Sequence, residues 1–105
     1  LYERLGGAVR WAGKPYRDIY DAALALARTA LGRETPKPRI LAIGDALRTD
    51  VAGAAGLGVD ALLCADGIHA ARLLLGRDGV DAAALRDLVL EAGHAPAAVT
   101  PGLAW

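Results

Sequence analysis

The chain has 105 residues, a formal net charge of zero and 54% apolar residues, which predicts a single globular domain over residues 1–105. Basic and acidic residues are interleaved, and no apolar run reaches the roughly 18 residues of a membrane span, so partners among nucleic acids and membranes are not expected. The only cysteine, Cys64, cannot form an intrachain disulfide and is compatible with a reducing, cytoplasmic location.

Apolar periodicity predicts strands and helices that alternate along the chain. In chain order we expect a strand at Val9–Trp11, a helix at Tyr16–Leu31, a strand at Ile40–Ile43, a helix that starts near Thr49, a strand at Val59–Ala65, helical segments within 69–93 and a strand at Ala98–Thr100. Such alternation is typical of an α/β fold in which helices flank a parallel sheet.

Two helices carry specific expectations about their ends and faces. The first should end at Gly32, and the second should begin with the Thr49 hydroxyl as its N-cap. The core-facing residues of the first helix are predicted to be Ile19, Ala23, Leu26, Ala27, Ala30 and Leu31, and those of the last helix Leu85, Leu88 and Val89.

Polar residues follow the predicted strands at the points where those strands end. Lys14 comes after the first strand, Asp45 after the second, and Asp66 and His69 after the third. Because parallel strands joined by right-handed crossovers end at the same edge of the sheet, these residues should converge there. His69 could contact a substrate at this edge or cap the helix that follows it.

A cation and a phosphate would both suit the residue types at this edge. Asp45 and Asp50, in the stretch "GDALRTD", supply the hard oxygen ligands that Mg²⁺ prefers. Lys14 can neutralise a phosphate or a carboxylate, and Gly44 leaves room for the backbone and a substrate at the strand tip. The alternative for Asp50 is a structural one, since an aspartate in the first turn of a helix is favoured by the helix dipole.

The sequence resembles the haloacid dehalogenase-like hydrolases, in particular their class IIA phosphatase-like branch. The segment "WAGKPYRDIYDAAL" is similar to the third motif of that family, and "ILAIGDALRTDVAGAAGLGVDALLCADGIH" is similar to the acidic fourth motif with the strand and loop after it. The resemblance implies a Rossmann-like parallel sheet flanked by helices.

The resemblance also implies a reaction, the Mg²⁺-dependent hydrolysis of a small phosphorylated metabolite through an aspartyl-phosphate. Lys14 matches the lysine that steadies charge and binds phosphate, Asp45 a Mg²⁺ ligand, and Asp50 the acidic residue that supports the metal site or holds Lys14. Nucleophilic attack by a carboxylate divides such a phosphoryl transfer into two easier steps.

The family's first two motifs and its cap domain have no counterpart in this chain. No "DxDG" follows an apolar strand, so the nucleophile is missing, and we expect the chain to be the C-terminal part of the core and inactive alone. Two other hypotheses remain open: a non-catalytic α/β module that self-associates or pairs with another chain, and, less favoured, a receiver-like or nucleotide-binding domain.

Overall fold

The computed structural model describes residues 13–76 and 79–104, so the strand expected at Val9–Trp11 lies outside the described residues. The elements are α1 (Arg17–Leu31), β1 (Leu41–Gly44), α2 (Ala52–Leu57), β2 (Asp60–Cys64), α3 (Ala70–Leu73), α4 (Ala82–Ala92) and β3 (Ala98–Thr100). A 3₁₀ turn at Lys37–Arg39 precedes β1, and a π-helical turn at Leu47–Val51 leads into α2. None of the helices in these ranges is long and apolar enough to cross a membrane.

The three strands form one parallel sheet in the order β1-β2-β3. Leu41 of β1 is in register with Asp60 of β2, and Leu62 of β2 is in register with Ala98 of β3. Each connection between neighbouring strands contains helix, as parallel pairing requires. The prediction of an α/β fold with a parallel sheet flanked by helices is therefore confirmed.

The core lies where β2 meets the π-helical turn, α2 and α3. Its largest fully buried side chains are Leu47, Leu63, Leu73 and Val51. The predicted stripe of α4 also packs here, with Leu88 buried and Leu85 and Val89 partly buried against the cluster.

The core-facing side of α1 differs from the one predicted. Tyr20 and Leu24 pack against the core, whereas Leu26 is 73% exposed and Leu31 is 57% exposed. Periodicity gives α1 a distinct apolar side, but the residues that pack on the core, Tyr20 and Leu24, lie at the edge of that side rather than at its centre. The ring of Tyr20 packs against Gly53 of α2, a residue without a side chain. This contact fixes which side of α1 faces the core. The expected stop at Gly32 is confirmed, and this glycine adopts a left-handed conformation with φ of 69°.

The expectation that Thr49 is an N-cap is wrong. The helical segment begins at Leu47, and Ala46 occupies the N-cap position without a side-chain hydrogen bond. Two other side chains bind N–H groups at this end: Asp50, within the turn itself, accepts from the Ala46 N–H, and His69 Nε2 accepts from the Leu47 N–H at 3.3 Å. Because those donors are already satisfied, the helix start does not require a threonine hydroxyl.

Truncation of Leu63 should test where the core lies. Leu63→Ala removes a side chain with no solvent exposure, and we expect it to reduce the free energy of unfolding by about 3 kcal/mol. Leu26→Ala, on the exposed side of α1, should change it by less than about 0.5 kcal/mol. Urea unfolding of both variants measures the difference, and equal losses would contradict the core assignment.

Candidate functional site

The loops that follow the three strands meet at the carboxyl end of the sheet. The Ile68 N–H, in the loop after β2, donates to Asp45 Oδ2 in the loop after β1 at 3.1 Å. A side chain at Gly67 would overlap Asp45, and one at Gly102, after β3, would press on the Asp66 carboxylate. The predicted convergence of strand-end residues is therefore present, and close backbone approach at two glycines makes it possible.

Asp50 is the buried acidic group at this edge, with 6% of its surface exposed. Its Oδ2 accepts hydrogen bonds from the Asp45 N–H at 3.0 Å and the Ala46 N–H at 3.1 Å. Its Oδ1 forms an ion pair with Lys14 Nζ, 36 positions away in the sequence. Both oxygens of the Asp50 carboxylate are thus engaged by this chain's own donors.

The π-helical turn directs Asp50 back toward the strand end. The N–H groups of Asp50 and Val51 both donate to the Ala46 carbonyl, at 2.9 and 3.2 Å. The longer of these spans five residues and widens the turn relative to an α-helix. The Asp50 side chain consequently reaches the backbone at the tip of β1.

Gly44, at the end of β1, makes this approach possible. A Cβ atom built on Gly44 would overlap Cβ, Cγ and Oδ2 of Asp50. The expected space at the strand tip is therefore filled by the Asp50 carboxylate, and a substrate-binding role for Gly44 stays a prediction.

The electrostatics of the Lys14–Asp50 pair favour both charged forms. Burial opposes ionisation of Asp50, but the hydrogen bonds from Lys14, Ala46 and Asp45 outweigh it and lower the pKa of this carboxyl. The hydrogen bond to Asp50 raises the pKa of Lys14 above its usual value. Because the side chain of Lys14 is 52% exposed, its ammonium group pairs with Asp50 while still facing solvent.

Tyr20 also belongs to this site, although the sequence analysis assigned it no role. Its hydroxyl donates to the Thr49 carbonyl at 3.3 Å, next to Asp50 in the chain. Burial and the charge of Asp50 raise the pKa of the phenol, so the hydroxyl remains a donor. No pattern in the sequence indicates this role, because the partner of the hydroxyl is a backbone carbonyl 29 positions away.

A cleft of about 250 Å³ opens beside these groups. Lys14, Asp50 and Tyr20 line it together with apolar residues of α1, β1 and α2, including Ile43 and Leu57. A larger cleft of about 540 Å³ between α1 and the connector before β1 is lined by none of Lys14, Asp45 and Asp50. We therefore assign the smaller cleft to the site.

His69 and Cys64 complete the surroundings of the strand ends. His69 occupies the N-cap position of α3, as one of the two predictions for it has it, but its side chain makes no capping hydrogen bond and accepts from the Leu47 N–H instead. Burial raises the pKa of the Cys64 thiol, and the negative charges of Asp66, Asp45 and Asp50 raise it further. Cys64 is thus a buried residue next to a concentration of acidic groups.

The two aspartates proposed as metal ligands differ in how many lone pairs remain available. Asp45 uses Oδ2 for the Ile68 N–H, and its Oδ1 receives no hydrogen bond from the described residues. Asp50 has both oxygens engaged. No cluster of three or more His, Cys, Asp or Glu suited to a metal is present within 13–76 and 79–104.

A family model described as HAD-hydrolase-like matches residues 11–104. The chain is similar to the crystal structure of a hydrolase of the haloacid dehalogenase-like family from Brucella suis 1330, with 41% sequence identity and a TM-score of 0.65. The match covers 98% of this chain and 34% of the Brucella chain, so this chain spans about a third of that protein's length. No curated protein matches the chain.

Replacement of Asp50 by asparagine should destabilise the fold in a pH-dependent manner. Asp50→Asn keeps the shape but places an amide against Lys14, and we expect a loss of about 2 kcal/mol at neutral pH. This is less than for a fully buried pair because Lys14 is half exposed. Urea unfolding over a pH series measures the loss.

The direction of the pH dependence follows from the two pKa shifts. The pKa of Asp50 is lowered by folding, so its contribution is fully present above about pH 4, the ordinary aspartate value, and is lost as the pH falls through the lower folded value. The raised pKa of Lys14 means that its contribution is lost only as the pH rises through that higher value. Asp21→Asn, which breaks the exposed Arg17–Asp21 pair, is the matched control and should cost less than about 0.5 kcal/mol. Equal losses in the two variants at neutral pH would contradict the assignment.

Proposed function

The chain belongs to the haloacid dehalogenase-like hydrolases, and we propose that it is the C-terminal part of the core of a Mg²⁺-dependent phosphatase. The proposed reaction is hydrolysis of a small phosphate monoester through an aspartyl-phosphate. The observation that carries this proposal is the pairing of Lys14 with Asp50 beside Asp45 at the carboxyl end of the sheet.

The donor set at this edge is compatible with Mg²⁺. This ion commonly binds one or two protein carboxylates and completes its octahedron with waters and phosphate oxygens. Asp45 would hold it through Oδ1, which has no hydrogen bond from the described residues. When bound, Mg²⁺ would supply positive charge to offset that of the phosphate group.

We propose different tasks for the two aspartates. Asp50 keeps Lys14 in place and fixes the backbone from Asp45 to Ala46, because all three donate to its carboxylate. Direct metal ligation by Asp50 would have to use the remaining lone pair of Oδ1, the oxygen that already accepts from Lys14. Asp50 therefore acts on the metal site mainly through Asp45 and through Lys14.

Lys14 is the group of this chain that would contact the phosphate. Its ammonium is held at one side by Asp50, and its half-exposed side chain lines the cleft of about 250 Å³. A fixed positive charge at this position stabilises the negative charge of a phosphoryl group without reorganisation during the reaction. In our proposal the substrate is a small phosphorylated metabolite of the cytoplasm.

The nucleophile has to come from outside these 105 residues. No Asp-x-Asp pair follows an apolar strand of the sequence, and the Brucella relative is about three times as long. We propose that a longer chain supplies the first two motifs and the cap, and that this segment alone does not turn over substrate.

Replacement of Asp45 should abolish Mg²⁺-dependent turnover in a chain that carries the first motif. In such a chain we expect Asp45→Asn to lower kcat for p-nitrophenyl phosphate about 100-fold or more, because charge stabilisation at the phosphate is lost. Initial rates over a series of Mg²⁺ concentrations measure the effect.

Asp60→Asn is the matched control for this experiment. Asp60 is an exposed aspartate at the start of β2, the opposite end of the same sheet, and its replacement should leave kcat unchanged. Full Mg²⁺-dependent activity of the Asp45→Asn chain would show that Asp45 is not the ligand.

A second candidate function is that of a module that associates with a second copy of itself. Among the described residues, β1 is an edge strand, and its Leu41 and Ile43 are each 53% exposed. Parallel sheets are normally covered on both faces, and an open edge readily accepts another strand. The zero net charge of the chain means that two copies do not repel each other at long range.

Self-association through β1 predicts a dimer in sedimentation velocity. Ile43→Lys places a charge on the apolar side of the edge strand and should convert the dimer to a monomer. Leu26→Lys, on the exposed side of α1, is the control and should sediment as the dimer. A monomeric wild-type chain, as expected if other parts of a longer protein cover β1, would exclude this function.

A further inference from the structure

Tyr20 links the helix that follows Lys14 to the turn that carries Asp50. It lies one turn into α1, and its hydroxyl donates to the Thr49 carbonyl, 29 positions away. The same carbonyl accepts from the Ala52 N–H inside the helical segment. Tyr20 is thereby bonded to the residue immediately before Asp50.

Gly53 gives Tyr20 its position on α2. A Cβ atom at Gly53 would overlap the hydroxyl and ring atoms of Tyr20, so the phenol lies directly on the helix backbone. Gly53 is buried, and Tyr20 is partly buried against the core. The side chain is therefore held by packing as well as by its hydrogen bond, and its hydroxyl has a defined direction.

The turn that Tyr20 contacts is the part of the site most dependent on side-chain support. Asp45 and Ala46 donate to the Asp50 side chain, and Leu47 donates to His69. Its π-helical geometry is rarer than an α-helical turn and is frequently found at functional sites. A rearrangement of the turn would move Asp50 away from Lys14.

We infer that Tyr20 is a positioning residue, whose hydroxyl holds the π-helical turn so that Asp50 stays between Lys14 and the backbone N–H groups of Asp45 and Ala46. Its hydroxyl acts on the turn through the Thr49 carbonyl. Its importance for catalysis rests on the proposed function, in which Lys14 and Asp50 serve phosphoryl transfer. Its effect on the turn is independent of that function.

Amide hydrogen exchange of the chain with Tyr20→Phe tests this inference. The phenyl ring retains the packing on Gly53 and removes only the hydrogen bond to Thr49. We expect exchange at the Asp45 and Ala46 amides to accelerate about five-fold, the effect of one ordinary hydrogen bond on a local opening. Exchange at the buried amides of β2 should not change.

Thr29→Val is the matched control. Thr29 lies on the same helix, and its hydroxyl also donates to a backbone carbonyl, that of Ala25 at 3.1 Å, but far from the turn. It should leave the Asp45 and Ala46 amides unaffected. Unchanged exchange at these amides in Tyr20→Phe, or an equal acceleration throughout β2, would overturn the inference, the latter because it indicates a general loss of stability.

This outcome is separate from that of the phosphatase experiment. Faster local exchange in Tyr20→Phe together with full activity of the Asp45→Asn chain would keep the positioning role and remove the proposed reaction. Unchanged exchange together with an inactive Asp45→Asn chain would remove the positioning role and keep the reaction.

Discussion

A buried carboxylate determines how the functional edge of this fold is organised. An aspartate with 6% exposure is costly to ionise unless donors replace the water that it loses. Asp50 has three donors, two backbone N–H groups and the ammonium of Lys14. This arrangement has three structural requirements. The strand must end at a residue without a side chain, Gly44, the helical turn must be widened, and a lysine 36 positions away must lie beside the carboxylate.

These requirements connect local structure to function at two strand ends. The parallel pairing of β1 and β2 places Asp45 next to the loop after β2, where the Ile68 N–H fixes one of its oxygens. Asp50 fixes the Asp45 backbone from the other side. Asp45 is thus oriented by contacts from two loops, and its Oδ1 receives no hydrogen bond from the described residues. Preorganisation of this kind is what charge stabilisation in a phosphoryl-transfer site needs.

The parallel sheet could be predicted from the sequence, and so could the meeting of Lys14, Asp45 and Asp50 at one edge of it. The sheet follows from apolar periodicity, and the meeting of the three residues follows from the common direction of parallel strands. The sequence was insufficient for the rotation of α1 and for the role of Tyr20. The partner of the Tyr20 hydroxyl is a backbone carbonyl 29 positions away. Because every residue has a backbone carbonyl, the residue types in the sequence do not reveal which one is the partner. Thr49 was misassigned for a related reason, since side chains of Asp50 and His69 supply the cap that a local hydroxyl would otherwise give.

The two aspartates of "GDALRTD" illustrate how the environment can divide work between identical side chains. They are five positions apart, yet one is buried with both oxygens engaged and the other keeps an oxygen without a hydrogen bond from the described residues. Asp50 accepts three hydrogen bonds from this chain, whereas Asp45 accepts one from the described residues, so more of its lone pairs remain for a cation. The sequence alone left open whether these residues bind a cation or support a helix. In the structure Asp50 supports the turn, whereas metal binding by Asp45 belongs to the proposed function.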